Sequence, residues 1–344
     1  LVLPMMLKPR YLFDPRKKSP AFRDALVAWF EENGKDYPWR RTRDPYAVLV
    51  SEIMLQQTRL GVVLGKGYFD RFMIRFPEVT VLADADESEL LRVWEGLGYY
   101  RRARMLQAAA RMIVDRHDGI FPKDEAALLA LPGLGKYTVG ALMSFAFDLP
   151  SPIVDGNVMR VLSRIFNDPT PIDSSQGIKN SWHLAGDLLD QKRPRLFNSA
   201  LMELGQQICK VGVPDCQSCP VAQFCKAKAP ERLPVKDKKT TITEVAESVV
   251  FVINERGEIL LAPEQGTRRI GLWRLPEIAD DVRSDYHFLA ESKYAITRYR
   301  VTLRVYRPPG VPRLRGGECW FHRDEAESLP MAAPYRKILR QLFD

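Results

Sequence analysis

The chain has 344 residues, of which 46% are hydrophobic and 27% charged, and a formal net charge of +8. That length allows two or three domains, and the composition excludes a wholly disordered chain, a collagen and a disulfide-built mini-protein. No apolar run reaches the roughly 18 residues of a membrane-spanning helix, and Leu1–Leu7 is too short for a secretion-signal core, so the expectation is a soluble, intracellular protein with no membrane partner.

From Phe22 to Cys209 the hydrophobic pattern is helical almost throughout. Phe22, Leu26, Trp29 and Phe30 mark one face of the first helix. Further helices are predicted near Ala47–Thr58, Glu87–Trp94, Arg102–Asp115, Thr138–Phe147, Asn157–Ile165 and Phe197–Ile208. Turn signals separate them, as at Leu131-Pro132-Gly133 and Asp168-Pro169. A polar, lysine-rich stretch from Lys226 to Thr243 reads as a solvated linker. Beyond it the period changes from 3.6 to 2. Val249–Ile253 and Ile259–Leu261 read as a hairpin around Asn254–Gly257. Residues 296–305 read as a strand with Tyr299, Val301, Leu303 and Val305 on one face. Arg298, Arg300, Thr302 and Arg304 fall on the other. A helix from Pro334 to Phe343 closes an α+β region.

Four of the five cysteines, Cys209, Cys216, Cys219 and Cys225, are spaced C-x6-C-x2-C-x5-C. In an intracellular protein this cluster points to a metal or iron–sulfur site. Unequal gaps and the lack of a nearby histidine favour a [4Fe–4S] cluster, with structural zinc still open. Cys319 lies far from them and is expected to be buried and unliganded. In Leu131-Pro132-Gly133-Leu134-Gly135-Lys136-Tyr137-Thr138-Val139-Gly140-Ala141, Gly133 and Gly135 permit positive φ and close approach of the backbone. The hairpin opens a helix whose first amides suit a phosphate, which the basic surplus also fits. Asp155, before Gly156-Asn157, is by itself an ordinary N-cap. Glu52 is harder to dismiss, because it lies in an apolar helical run with Ile53, Met54 and Leu55. Burial there would raise its pKa and suit it to general acid catalysis, with a second carboxylate stabilising an oxocarbenium-like sugar.

Six segments, in order and spacing, resemble the MutY-type adenine DNA glycosylases of the endonuclease III-like helix-hairpin-helix superfamily. They are Pro38-Trp39-Arg40, Ser51–Thr58, Gly96-Leu97-Gly98-Tyr99-Tyr100, the hairpin at 131–141, Val154-Asp155-Gly156-Asn157 and the four cysteines. The resemblance runs from about Ala21 to the chain end. It implies an all-α helix-hairpin-helix glycosylase domain with an iron–sulfur loop, followed by an α+β Nudix-like domain. The corresponding division is an N-terminal extension at 1–20, the helical domain at 21–208, the cluster loop at 209–225, a linker at 226–245 and the Nudix-like domain at 246–344.

By the same resemblance Glu52 protonates adenine, Asp155 stabilises the cationic sugar and Asn157 organises the acid and its water. Trp39, Arg40, Leu55 and Tyr137 line the pocket for the flipped base, whose extrusion the chemistry requires. Gln57, with Thr58 and Leu60, forms the wedge, Tyr99 is a further DNA contact, and Gly133 and Gly135 grip the backbone. Bifunctional relatives carry a Schiff-base lysine where this chain has Tyr137, so a monofunctional, hydrolytic glycosylase is implied. The C-terminal loop expected to check for 8-oxoguanine reads Ile296-Thr297-Arg298 in place of the family's Phe-Ser-His. The implied cofactor is a [4Fe–4S] cluster, and the implied partner is duplex DNA holding an adenine mispaired with 8-oxoguanine or guanine. A monomer working in a bacterial-type cytoplasm is expected. Another target or opposite base, or a catalytically idle DNA-binding protein, are the alternatives.

Overall fold

The computed structural model describes residues 15–237, 241–266, 269–278 and 285–343. The expected N-terminal extension falls mostly outside these residues, as do 238–240 of the expected linker. The described chain forms two compact units. One takes in the chain up to Glu52 and the stretch from Phe121 to 237; the other takes in Ile53–Ile120 and the chain from 241 onward.

The first unit is helical. It holds α1 (Pro15–Asn33) and α2 (Pro45–Leu55) as far as Glu52. After Phe121 come α8 (Glu125–Leu129), α9 (Lys136–Ala141), α10 (Gly156–Ile165), α11 (Ser175–Leu188) and α12 (Pro194–Gln207), counted along the whole chain. Phe22 and Leu26 of α1 are fully buried against Val158 and Leu162 of α10 and Phe197 and Leu201 of α12. Each such side chain contributes about 1.5–3 kcal/mol by leaving water. Asp44 starts α2 by accepting from the Tyr46 and Ala47 amides at 3.0 and 3.2 Å, with Pro45 in the first helical position. Two glycines set helix spacing. A Cβ on Gly140 would lie 2.4 Å from the Pro152 carbonyl oxygen, and one on Gly205 would lie 2.8 Å from Asn157 Cβ. The helix expected at Thr138–Phe147 is α9 followed by a π-helical turn, Leu142–Ala146.

In the second unit α3 (Leu60–Gly65), α4 (Tyr68–Arg75), α5 (Val79–Asp84), α6 (Glu87–Val93) and α7 (Arg101–His117) bury Phe72, Phe76, Leu82, Leu90 and Trp94. The same unit carries β1 (Thr243–Val250), β2 (Ile259–Pro263), β3 (Trp273–Arg274), β4 (His287–Ile296), β5 (Tyr299–Arg307) and β6 (Cys319–Phe321). They make two three-stranded sheets, β1-β5-β4 and β3-β2-β6. Next come α13 (Arg323–Ser328) and α14 (Ala333–Phe343). Arg336 of α14 is buried and forks onto Glu95 at 3.0 and 3.2 Å, and Tyr100 donates to the Met331 carbonyl at 3.1 Å. The small sheets are thereby fastened to the helices of their own unit.

Several local expectations change. α2 stops at Leu55, and Gln57 has φ of 57°, so Gln57 and Thr58 lie in a turn beyond the helix. The hairpin around Asn254–Gly257 closes, with Asn254 N–H donating to Glu258 O at 3.0 Å. Its arms pair as expected where Ile253 bridges Ile259, but the start of the first arm, Val249 and Val250, ends β1, which runs parallel to β5. Of the strand expected at 296–305, Ile296 ends β4, and Thr297 and Arg298 form the turn into β5. Arg298 is therefore not on the strand face with Arg300 and Arg304. Val301, Leu303 and Val305 do form the buried face. Cys319 is exposed, contrary to expectation, because β6 presents it outward. Part of the stretch read as solvated is strapped down: Leu233 is buried and the Val235 carbonyl accepts from Ile172 N–H at 3.0 Å.

Candidate active site

Glu52 lies on the last turn of α2, with only 5% of its surface exposed. The Tyr137 hydroxyl, from the first turn of α9, donates to Glu52 Oε2 at 2.8 Å. Burial pushes the Glu52 carboxyl up to about 7; the Tyr137 hydrogen bond opposes this, the nearby Asp155 charge reinforces it, and Arg40 opposes it. A carboxyl poised near neutrality can hold a proton and give it up. Burial and the two neighbouring carboxylates hold the Tyr137 phenol well above its ordinary range, so it stays a donor. Lys136, one residue earlier, points elsewhere, its ammonium 4.1 Å from the centre of the Trp182 ring.

Asp155 is the N-cap of α10, accepting from Val158 N–H at 2.7 Å. Asn157 Nδ2 donates to its other oxygen at 2.9 Å, and Arg160 Nη2 donates to Asn157 Oδ1 at 2.9 Å. Burial raises the Asp155 pKa, while these donors and Arg160 pull it down. The two carboxyls thus have different surroundings. Glu52 has one phenolic donor; Asp155 has an N–H at each oxygen and a cation behind them. Asp155 is the better built to stay ionised. Arg160, which the sequence reading passed over, also donates to the carbonyls of Gly205 at 2.7 Å and Cys209 at 2.8 Å.

Trp39 and Arg40 sit in a 3-10 turn, Pro38–Arg40, before α2. Trp39 is buried and stacks on Tyr37, ring centres 5.5 Å apart. The Arg40 guanidinium lies 4.5 Å from the Tyr37 ring centre and 2.7 Å from Glu203 Oε2. Glu203, on α12, is fully buried. Gln207 Nε2 donates to its Oε1 at 2.6 Å, but Arg40 Nη1 directs its N–H to the Lys35 carbonyl at 2.8 Å. Glu203 Oε2 is thus held by the Arg40 charge at 2.7 Å. Sequence reasoning missed Glu203. The signal was a carboxylate amid Leu201, Met202 and Leu204, the same kind that singled out Glu52.

The four cysteines line one pocket of about 170 Å³ with Arg164 and Leu204. Arg164, almost wholly buried, donates to Cys209 Sγ at 3.3 Å and to the carbonyls of Lys210, Gly212 and Leu233 at 2.7, 2.9 and 3.0 Å. Burial first, and then the other three cysteines, push the Cys219 thiol up to about 11. Among the described residues, no three His, Cys, Asp or Glu groups converge as one metal ion would require.

A second group of expected site residues gathers in the other unit. Arg102, from α7, donates at 2.9 Å to the carbonyls of both Ile53 and Met54, and also to that of Gln56. It reaches Thr58 Oγ1 at 3.1 Å and the carbonyls of Leu97 and Gly98 at 3.1 and 3.2 Å. One guanidinium so joins the loop carrying Gln57 and Thr58 to the loop carrying Tyr99. Tyr99, with φ of 48°, shares a 3.0 Å hydrogen bond with Thr297 Oγ1, and Thr297 has φ of 54°. Arg298 folds onto Tyr299, its Nη2 donating to that hydroxyl at 3.1 Å. Leu55 and Leu60 are half-buried, while Gln57 is exposed. In the hairpin before α9, Gly133 and Gly135 are both exposed, but only Gly133 has positive φ, at 78°.

Residues 50–183 match the HhH-GPD superfamily of base excision DNA repair proteins. An adenine DNA glycosylase of Buchnera aphidicola subsp. Baizongia pistaciae is 34% identical over 257 residues, covering 74% of this chain and 71% of its own. The chain belongs to the adenine DNA glycosylase family. The mouse adenine DNA glycosylase is 41% identical over 238 residues, 66% of this chain, and the chain spans 45% of that relative's length. Within the family's wider fold, the solved structure of a thermostable thymine-DNA glycosylase is 32% identical with a TM-score of 0.56, covering 61% of this chain and 96% of its own. The helical glycosylase fold is therefore common to this chain and the family. No helix among its described residues is long and apolar enough to cross a membrane.

Proposed function

We propose that this protein excises adenine from duplex DNA by hydrolysing its N-glycosidic bond, as a monofunctional glycosylase of base excision repair. The observation that carries this reading is the buried Glu52 carboxyl, raised to about 7 and held by the Tyr137 hydroxyl, beside a better-solvated Asp155. With Tyr137 bound to Oε2, Oε1 is free to hold the proton that makes the base a leaving group. Asp155, kept anionic by Val158 N–H and Asn157, stabilises the cationic sugar left behind. The buried Arg40–Glu203 pair would help to shape the pocket for the extruded base. Trp39 and Arg40, in the turn before α2, and Leu55, one turn beyond Glu52, would line the pocket for the base.

Gln57, Thr58, Leu60 and Tyr99 make the DNA wedge, and Gly133 and Gly135 the backbone grip. On this reading residues 246–344 would serve as a Nudix-like lesion-recognition domain. There the hairpin tip presents Thr297 and Arg298 to the base opposite the adenine. The Thr297 hydroxyl is already shared with Tyr99, which favours a selectivity between 8-oxoguanine and guanine set largely by Arg298. The four cysteines line one pocket, and their unequal spacing without a histidine favours a [4Fe–4S] cluster over zinc. Cys209, Cys216, Cys219 and Cys225 would hold it, and it would fasten the loop behind Arg160 and Asp155. The protein is proposed to act as a monomer in a bacterial-type cytoplasm.

The experiment is a duplex panel with adenine opposite 8-oxoguanine, guanine, cytosine and thymine, assayed for free base. Release of adenine opposite 8-oxoguanine and guanine supports the reading; release of another base, or none, overturns it.

A further inference from the structure

Arg195, in the first turn of α12, lies outside the group just described but reaches its supports. Its Nη2 donates to the carbonyls of Arg40 at 2.6 Å and Thr42 at 2.8 Å. Its Nη1 donates to the carbonyl of Phe145, in the π-helical turn, at 2.6 Å. That turn leaves a carbonyl to be claimed. Phe147 and Leu149 N–H groups bond back to Leu142 and Met143, and Pro150 has no N–H to offer. One planar, multi-donor guanidinium bridges three acceptors that a lysine ammonium on a flexible stem would not hold in one fixed geometry. Two of them belong to the segment that carries Arg40, and α12 itself carries Arg40's partner Glu203.

We infer that Arg195 is a positioning residue: it fixes the Pro38–Arg40 turn to α12, and so holds the Arg40 guanidinium at its set distance from Glu203 and Glu52. The groups that face Glu52 are Tyr137 from α9, Asp155 from the start of α10 and Arg40 from the turn. Of these, Arg40 is the cation, and it favours the ionised form. Loosening it therefore raises the Glu52 pKa, and the ordered base pocket is lost with it. The kinetic part of this inference rests on the proposed glycosylase reading; the titration part does not.

The test is a cycle of Arg195→Met, Arg40→Gln and the double variant. Glu52 is followed by carbon NMR of its carboxyl against pH, and adenine release is followed in single turnover. Arg195→Met is expected to move the Glu52 titration upward, as Arg40→Gln does, and to slow release about tenfold. The double variant should match the slower single variant within about twofold, since both remove one interaction. Arg195→Lys, which keeps the charge but not the fork, should fall between wild type and Arg195→Met, and it takes the place of Arg195→Met in the cycle if that variant does not fold. An unmoved Glu52 titration in the Arg195 variants, or multiplying rate losses in the double variant, would overturn the inference. A wild-type protein that releases no adenine would overturn the glycosylase reading and leave the titration result to decide the role of Arg195.

Discussion

The pKa contrast between Glu52 and Asp155 has consequences for stability as well as chemistry. The Glu52 pKa is raised in the folded chain, so the native state binds a proton that the unfolded chain has released by neutral pH. Stability is then lost as pH rises from about 4.5 through about 7. Removing the charge with Glu52→Gln should stabilise the fold at pH 8 by up to ~3 kcal/mol and leave it nearly unchanged at pH 4. Urea unfolding at the two pH values measures this, and an equal effect at both would contradict a raised pKa. Asp155→Asn should be severely impaired in adenine release while keeping the cap of α10, so its stability should change by less than about 0.5 kcal/mol, whereas Asp155→Ala should lose about 1 kcal/mol. Glu52 was legible in the sequence because a carboxylate in an apolar run is costly without a purpose. Glu203 sits in the same kind of run and was overlooked because no motif pointed to it. Arg160, Arg164 and Arg195 were invisible for a different reason: their acceptors are main-chain carbonyls on other elements, and a sequence carries no trace of those pairings.

At the level of elements, Arg102 joins the end of α2 to the start of α7. Arg102→Met would strand several carbonyls at once, and a loss of ~3 kcal/mol is expected by thermal or urea unfolding. Arg102→Lys should recover little of it, because an ammonium cannot span acceptors on both sides. A loss under about 0.5 kcal/mol would show that the two loops are held by other contacts. The cysteine loop makes a separate prediction. Purified protein should carry about four irons per chain with a visible absorption band, and Cys216→Ser should reduce both. Stoichiometric zinc without iron in anaerobically prepared protein would refute the cluster. Periodicity gave most of the long helices to within a few residues but missed the 14-residue α11, whose polar start at 175–180 hid it, and the short α3, α4, α5 and α8 were too brief for it to single out. The end of α2 at Leu55 was also hidden, since the turn at Gln57 contains no glycine or proline.

On the scale of the whole molecule, the sequence suggests a helical part followed by an α+β part. The compact units follow another division, because residues 53–120 pack with the chain beyond 241. The reason lies in pairs far apart in sequence, such as Arg336 with Glu95 and Tyr99 with Thr297, which no local pattern announces. Those contacts explain how an exposed hairpin tip at Thr297 and Arg298 is held beside Tyr99. Arg298→Ala should therefore narrow the ratio of excision rates opposite 8-oxoguanine and guanine at fixed salt, and an unchanged ratio would remove this hairpin from lesion choice. Base release at this site depends on Glu52 as the acid. Its most direct measurement is the single-turnover rate of adenine release opposite 8-oxoguanine as a function of pH, for wild type and Glu52→Gln. The wild-type rate should be level below about pH 6 and fall above about 7, with Glu52→Gln at least ~10²-fold slower at pH 6. A wild-type rate that keeps rising through pH 8, or a Glu52→Gln rate within a few-fold of it, would contradict the mechanism.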